Sequence, residues 1–376
     1  MLLIKNGLLL SPANGFKGEK RDILIKDGKI QQIGEKLSDE AKVIDASGCI
    51  VTPGFIDIHV HCYPDTFLGM LPDTLGIERG ATTIIDAGSS GADNYEDFKT
   101  KYIDTAKTKV FTLINLSKEG LVRGHELDSP DKINLESLAK IVEKYTDNIV
   151  GLKARASASV VGDMGLAPIK TAADTAQELG KPLTVHVGNY PPALVEVLNL
   201  LNKGDVVTHA FHGKKGGILT EDGHVLPEAI EARKRGVLFD VGHGVASFSF
   251  RVFEKAMEEG FPCDIISTDL HKENYNGPVY NMAAVASKVL NSGESLEHIV
   301  EKCTTIPARH YGLKDLGEIT EGYIADFNIM ALEDCDEEVV DSIGDSIRLT
   351  KKLVLKKTIY SRGDQSEIFE HIVTGE

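Results

Sequence analysis

Histidines, a lysine and an aspartate stand where short apolar runs of the chain end, and these residue types can bind metal ions or move protons. In His59-Val60-His61 the two imidazoles are two residues apart on an extended run, so both point to the same side. Four further apolar runs end at the ionisable residues Lys153, His186, His209 and Asp269. If these runs are parallel strands of one barrel, six ionisable side chains converge on one face, which predicts a metal centre.

The apolar runs alternate with helical stretches, as expected for a parallel sheet built of βα units. Predicted strand ends lie near His59, Ala87, Asn115, Lys153, His186, His209, Asp240 and Thr268. The seven steps from His59 to Asp269 average 30 residues each, close to the roughly 31 residues of one unit in an eightfold barrel. The sequence therefore predicts an α/β protein with a (β/α)₈ TIM barrel.

The two chain ends have a different character, with short alternating runs separated by turn residues. The pair Asp27-Gly28 inside one such run is a strong hairpin signal, and the pattern returns in residues 323–331 and 348–360. Neither end has enough strands to bury a face alone. We therefore predict a small β-sandwich domain formed by residues 1–52 and 315–376, beside a barrel domain of residues 53–314.

The amino-acid composition limits the kinds of molecule that this protein is expected to bind. The 376 residues include 41 Lys and Arg against 57 Asp and Glu, a net charge of −16, which argues against nucleic acid and anionic membranes. Five scattered cysteines without a paired metal or redox motif fit a reducing compartment. We expect a cytoplasmic homo-oligomer that acts on a small-molecule substrate, with no membrane and no nucleic-acid partner.

Lys153 is unusual in this set, because an ammonium has no lone pair and is repelled by divalent cations. Carboxylation of its amine by carbon dioxide gives a carbamate, an anion with two oxygens that can bridge two metals. The five conventional donors exceed one tetrahedral site, which also predicts two divalent ions.

With these motifs the chain resembles the amidohydrolase superfamily, in its binuclear subtype with a carboxylated lysine. The resemblance covers the opening VTPGFIDIHVH (residues 51–61), the ligand positions, and the returning segments GEI and GYIAD within residues 317–326. It implies that His59, His61 and Asp269 bind a first metal and that His186 and His209 bind a second. It also implies that N6-carboxylated Lys153 and a hydroxide bridge the two, with zinc as the expected metal.

The substrate class is inferred from positions where this sequence differs from other groups of the superfamily. Dihydroorotases carry an arginine two residues beyond the second histidine, where this chain has Tyr63, and mononuclear deaminases show His-x-x-Glu where this chain has His186 followed by Val187-Gly188-Asn189. The resemblance favours a deacetylase-like hydrolase of an acyl amide or ester, an N-acyl amino acid or O-acyl hydroxy acid. An adenine deaminase-like or dihydroorotase-like activity remains the alternative. A non-catalytic scaffold is disfavoured because all six positions are present.

In the implied mechanism one metal polarises the acyl carbonyl, the hydroxide attacks, and Asp269 carries the proton to the leaving group. The predicted substrate-binding residues are Arg155, His271 and Tyr63. Arg155 lies two residues beyond Lys153 and shares its side if the strand stays extended. It would then hold a substrate carboxylate, unless it pairs with a loop carboxylate such as Asp163.

Overall fold

The structure of the protein is a computed structural model, described for residues 1–38 and 40–371. The strands are β1 (Leu2–Ser11), β2 (Phe16–Lys26), β3 (Lys29–Gly34), β4 (Lys42–Asp45), β5 (Ile50–Pro53), β6 (Phe55–Val60), β7 (Ala81–Ala87), β8 (Lys109–Asn115), β9 (Ile149–Ala156), β10 (Leu183–Val187), β11 (Val206–Thr208), β12 (Leu238–Phe239), β13 (Phe327–Val340), β14 (Ser346–Arg362) and β15 (Gln365–Glu370). Most of the helices lie between barrel strands or after the last of them.

The α-helices are α1 (Pro72–Leu75), α2 (Tyr95–Phe98), α3 (Leu135–Lys144), α4 (Ala158–Val161), α5 (Ala167–Glu178), α6 (Leu194–Leu200), α7 (Pro227–Arg235), α8 (Phe250–Glu258), α9 (Met282–Asn291), α10 (Leu296–Cys303) and α11 (Thr305–His310). The predicted cap of α3 is confirmed, because the Asn134 side chain accepts a hydrogen bond from the Ser137 backbone at 3.1 Å. Within the described residues, none of the helices is long and apolar enough to cross a membrane.

Strands β6 to β12 form one parallel sheet in chain order. The segment of residues 265–270 continues the pattern with two parallel bridges, from Ile265 to Asp240 and from Leu270 to Val60. This segment therefore lies between the last and first strands, and the arrangement is TIM-barrel-like. The predicted ends Ala87 and Asn115 coincide with the ends of β7 and β8, whereas β9 runs three residues beyond Lys153.

Strands from both chain ends share a second, mixed sheet. Within it β5 pairs with β1 on one side and β13 on the other. The predicted hairpin turn lies between β2 and β3, with Asp27 and Gly28 both at positive φ, 50° and 70°. A buried apolar cluster joins this sheet across the chain ends, from Leu2 to Ile359. The shared sheet agrees with the expected pairing of the ends. The two-layered sandwich and the domain boundaries stay predictions.

The first barrel strand is anchored by the last part of the chain. The Gly54 backbone N–H donates to the Asp326 carbonyl at 2.8 Å, and the Phe55 N–H donates to Asn328 Oδ1 at 2.8 Å. These bonds fix the entry into β6, which carries His59.

Candidate metal centre

Two histidines and one aspartate meet at the end of the first barrel strand. His59 and His61 emerge on the same side, as the alternation predicts, and both are almost fully buried. Asp269 Oδ1 lies 3.3 Å from His59 Nε2 and 3.1 Å from His61 Nε2. One atom from each of the three residues lies within 4.8 Å of the others, an arrangement that can hold a metal ion.

The other three residues predicted as ligands join this cluster. The His209 ring is 4.9 Å from that of His59 and 4.3 Å from that of His186, measured between centroids. Lys153 Nζ lies 3.0 Å from His59 Nε2. The structure therefore brings all six predicted residues together.

A hydroxyl behind each of His59 and His61 sets the orientation of its ring. His59 Nδ1 lies 2.8 Å from Thr208 Oγ1, and Thr208 donates its own proton to Asp240 Oδ2 at 2.7 Å. The threonine oxygen therefore accepts from His59 Nδ1–H, which leaves Nε2 with its lone pair facing the cluster. His61 Nδ1 lies 3.0 Å from Ser89 Oγ. Neither hydroxyl is predicted from the sequence, although Thr208 directly precedes a predicted ligand.

His209 provides the clearest test of whether a cation fits here. Its Nδ1 lies 2.6 Å from the Gly242 carbonyl, which only accepts, so the proton is on Nδ1 and the lone pair on Nε2. Among the described residues, that buried Nε2 has no hydrogen-bond partner. A buried polar atom without a partner is costly, and a bound metal would satisfy it.

The backbone at two of these residues is in the left-handed region. His209 has φ 64° and Asp269 has φ 54°, a conformation uncommon for residues with a side chain and typical of functional sites. Two glycines allow the chain to pass close to them. A Cβ on Gly242 would lie 2.9 Å from His209 Nδ1, and one on Gly244 would lie 2.5 Å from Asp269 Oδ2.

Burial keeps the imidazoles neutral, the form that binds metal. It lowers the pKa of His209 to about 3 and holds the pKa of His59 and of His186 well below the ordinary value. Burial alone would raise the pKa of Asp269, but His59 and the hydrogen bond from His61 hold it well below its usual range. The site therefore combines neutral nitrogen donors with an ionised carboxylate.

Lys153 is one of the largest fully buried side chains. Burial lowers its pKa to about 8. A larger fraction of its amine is therefore neutral at physiological pH than for an exposed lysine, and the neutral amine is the form that reacts with carbon dioxide.

His271, predicted to contact substrate, lies beside the cluster. It is buried, its ring centroid is 6.0 Å from that of His61, and its Nδ1 lies 2.6 Å from the Asp269 carbonyl oxygen. Its substrate contact stays a prediction.

Tyr63 faces a different part of the molecule from the one we predicted. Its hydroxyl donates to Asp97 Oδ2 at 3.0 Å, and its ring stacks on Phe98 with 4.7 Å between centroids. Both partners belong to α2, and among the described residues no hydrogen bond or ring contact joins the Tyr63 side chain to the histidines. The reason is that β6 ends at Val60, so the alternation of sides does not continue to residue 63.

Arg155 is held by a carboxylate of the chain itself. Its Nε and Nη2 donate to the two oxygens of Glu126 at 2.5 and 2.7 Å, and Glu126 is almost fully buried. The expectation of an intramolecular carboxylate partner is thus met by Glu126 rather than by Asp163. This bidentate pair occupies two of the guanidinium nitrogens that a substrate carboxylate would use.

Arg155→Leu is expected to lower the free energy of unfolding by roughly 3–5 kcal/mol, because it leaves the Glu126 carboxylate buried without a partner. Urea denaturation measures the change. The double variant Arg155→Leu/Glu126→Leu should recover much of the loss. Arg348→Leu, which breaks the exposed pair with Asp336, is the matched control with a much smaller expected effect. Equal losses of unfolding free energy in Arg155→Leu and Arg348→Leu would contradict the prediction.

Comparison with known proteins shows which family the chain belongs to. The sequence pattern of the amidohydrolase family matches residues 50–361, and the chain belongs to that family. A deacetylase from Enterococcus faecalis is 40% identical over 349 residues, covering 91% of this chain and 93% of the relative. This protein is therefore a hydrolase that acts on carbon–nitrogen bonds, from a family that generally uses a divalent metal centre.

Two solved structures superpose on nearly the whole chain. An adenine deaminase is 38% identical with a TM-score of 0.91, covering 98% of this chain and 99% of its own. A dihydroorotase is 34% identical with a TM-score of 0.91, covering 100% and 99%. These likenesses agree with the TIM-barrel-like fold.

Proposed function

We propose that this protein is a metal-dependent deacetylase-like hydrolase that cleaves the acyl amide of an N-acyl amino acid or the acyl ester of an O-acyl hydroxy acid. The observation that carries the hydrolytic part is the cluster of neutral imidazoles and an ionised aspartate around the buried Nε2 of His209, which has no hydrogen-bond partner in the described part of the chain. The acyl part is supported by the deacetylase relative, which matches 91% of the chain.

The donor set fits two divalent cations, with zinc as the proposed metal. His59, His61 and Asp269 would hold one and His186 and His209 the other, with carboxylated Lys153 shared between them. Bound there, the cations would supply Lewis-acid chemistry, polarising the acyl carbonyl and lowering the pKa of water.

The chain itself supplies positioning and proton transfer. The hydroxyls of Thr208 and Ser89 hold the imidazoles of His59 and His61 in one orientation. Asp269 remains ionised, so its carboxylate can accept a proton from the attacking water and return it to the leaving nitrogen or oxygen. His271, beside the Asp269 carbonyl, is proposed to contact the substrate.

Two divalent ions per chain are expected in the active protein, because the five conventional donors exceed one tetrahedral site. Elemental analysis measures the content. Chelation should abolish hydrolysis, and activity should return as two equivalents are added back. A fully active protein with a single ion would contradict the shared Lys153 scheme and favour a deaminase.

The second candidate is a nucleobase aminohydrolase, which the likeness to an adenine deaminase favours. A hydrolysis screen separates the candidates. Metal-loaded protein is offered N-acetyl amino acids, acetylated hydroxy acids, cyclic imides and adenine. Release of acetate is the expected result, whereas ammonia from adenine or opening of an imide would replace the proposed function by that activity.

A further inference from the structure

The loop of residues 242–244, which follows β12, supports two of the predicted metal ligands through its backbone. The Gly242 carbonyl accepts the hydrogen bond of His209 Nδ1 at 2.6 Å. A Cβ on Gly244 would lie 2.5 Å from Asp269 Oδ2, so this backbone passes directly beside the carboxylate. The position of the loop therefore sets the orientation of His209 and the space left for Asp269.

A buried lysine holds this loop through His243. Lys288 lies on α9, and its Nζ donates to His243 Nε2 at 2.9 Å. Its other two hydrogen bonds go to the carbonyls of Pro278 at 3.0 Å and Val340 at 2.7 Å. An ammonium has three donors, and all three are used. Lys288 thus connects the loop to a segment before α9 and to the end of β13.

The tautomer of His243 agrees with its bond to Lys288. Its Nδ1 lies 3.0 Å from the Gly244 carbonyl, which only accepts, so the proton is on Nδ1. The Nε2 lone pair is therefore free to accept from Lys288. The imidazole also stacks on Phe248, with 4.9 Å between ring centroids. Both ring nitrogens and one ring face of His243 are consequently held.

The turn between β13 and β14 contacts the same loop. Ser342 Oγ lies 3.1 Å from the His243 carbonyl and 3.1 Å from the Gly244 carbonyl, so its one proton is shared between them. The Ser342 backbone N–H donates to the Phe248 carbonyl at 3.1 Å. Since β13 and β14 belong to the second sheet, that sheet reaches the loop beside His209 and Asp269.

Lys302, another buried lysine, has a different kind of partner. It lies on α10 and pairs with the carboxylate of Glu294. The three acceptors of Lys288 are all neutral. Burying an ammonium without a carboxylate is costly, so Lys288 is better explained by the groups it connects than by a gain in stability.

We propose that Lys288 is a positioning residue of the metal centre, which fixes the loop of residues 242–244 and thereby the orientation of His209 and Asp269. The inference rests on the proposed function, because it concerns the metal centre of that function. It also makes Ser342, on the turn of the second sheet, a second support of the same loop.

Zinc titration of the metal-free, full-length protein against a chromogenic chelator tests the proposal. Lys288→Met is expected to weaken zinc binding by about 10- to 100-fold, the range for removing a group that orients a metal ligand. The visible spectrum of the cobalt-loaded protein should change as well, because it reports the geometry of the ligands. Lys302→Met is the matched control. It removes a buried lysine and its ion pair, and should leave the zinc affinity and the cobalt spectrum at the parent values.

Ser342→Ala provides a milder variant, which removes only the hydroxyl. It should weaken zinc binding in the same direction, and Ser342→Thr, which keeps the hydroxyl, should restore most of the affinity. Zinc affinity and cobalt spectra at the parent values in Lys288→Met would overturn the proposal, as would equal losses of affinity in Lys288→Met and Lys302→Met. If Lys288→Met does not fold, an unchanged zinc affinity in Ser342→Ala overturns it.

These measurements need no substrate, so they separate the inference from the proposed function. If Lys288→Met weakens zinc binding and the parent protein cleaves no acyl compound, the positioning role stands and the proposed function fails. If the parent protein cleaves acyl compounds and zinc binding is unchanged in the variant, only the inference fails. A parent protein that binds no zinc would overturn both.

Discussion

Asp269→Asn is expected to lower kcat by about 10²- to 10⁴-fold while the protein keeps its fold and most of its metal. The carboxylate that lies 3.1 Å from His61 Nε2 is ionised and can accept a proton, whereas an amide cannot. Asparagine still offers an oxygen ligand and tolerates the left-handed backbone at this position. Steady-state kinetics and elemental analysis on the same preparation measure both quantities.

The matched control for this substitution is Asp174→Asn, which changes an exposed carboxylate paired with Lys170 on α5. It should leave turnover and metal content at the parent values. Near-normal turnover in Asp269→Asn would contradict the proton-transfer role, and His271 would then be the next candidate for it.

Lys153→Ala is expected to lose most of the activity and much of the bound metal. If the carbamate supplies several kcal/mol of charge stabilisation through the metals, the loss is about 10³-fold or more. Small carboxylic acids added to the variant should restore part of the rate, because they return two oxygens to the vacated position. Lys153→Arg keeps a long side chain, but its guanidinium stays cationic and offers no amine that carbon dioxide can carboxylate, so this variant should stay inactive.

A second buried lysine serves as an internal control for the modification. Burial also lowers the pKa of Lys288 to about 8. However, its Nζ already contacts His243 Nε2 and the carbonyls of Pro278 and Val340. Carbon-13 NMR of protein in labelled bicarbonate should therefore show a carbamate signal that Lys153→Ala removes. An unmodified Lys153 amine in active protein that holds two metal ions would contradict the proposed carboxylation.

Sequence alone was enough to find the cluster because its members follow simple periodic rules. Side chains two apart on a strand share a side, which placed His59 beside His61, and the regular length of a βα unit placed His186, His209 and Asp269 at one face. Local signals were equally direct at the Asp27-Gly28 turn and at the Asn134 cap, both of which are confirmed.

The other residues around the site could not be placed from the sequence, because their positions depend on contacts that sequence spacing does not encode. Arg155 pairs with Glu126, which comes from the irregular segment after β8, so neither residue reveals the other. Tyr63 was misplaced because its strand ends three residues earlier.

The hydrogen bonds from Gly54 and Phe55 to the segment of residues 326–328 have a consequence for folding order. About 270 residues separate these partners, and contacts so distant in sequence form late because a large loop must close first. During synthesis the strand that carries His59 is made well before the segment that anchors it. The contacts that fix the entry into the first barrel strand are therefore expected to form late in folding.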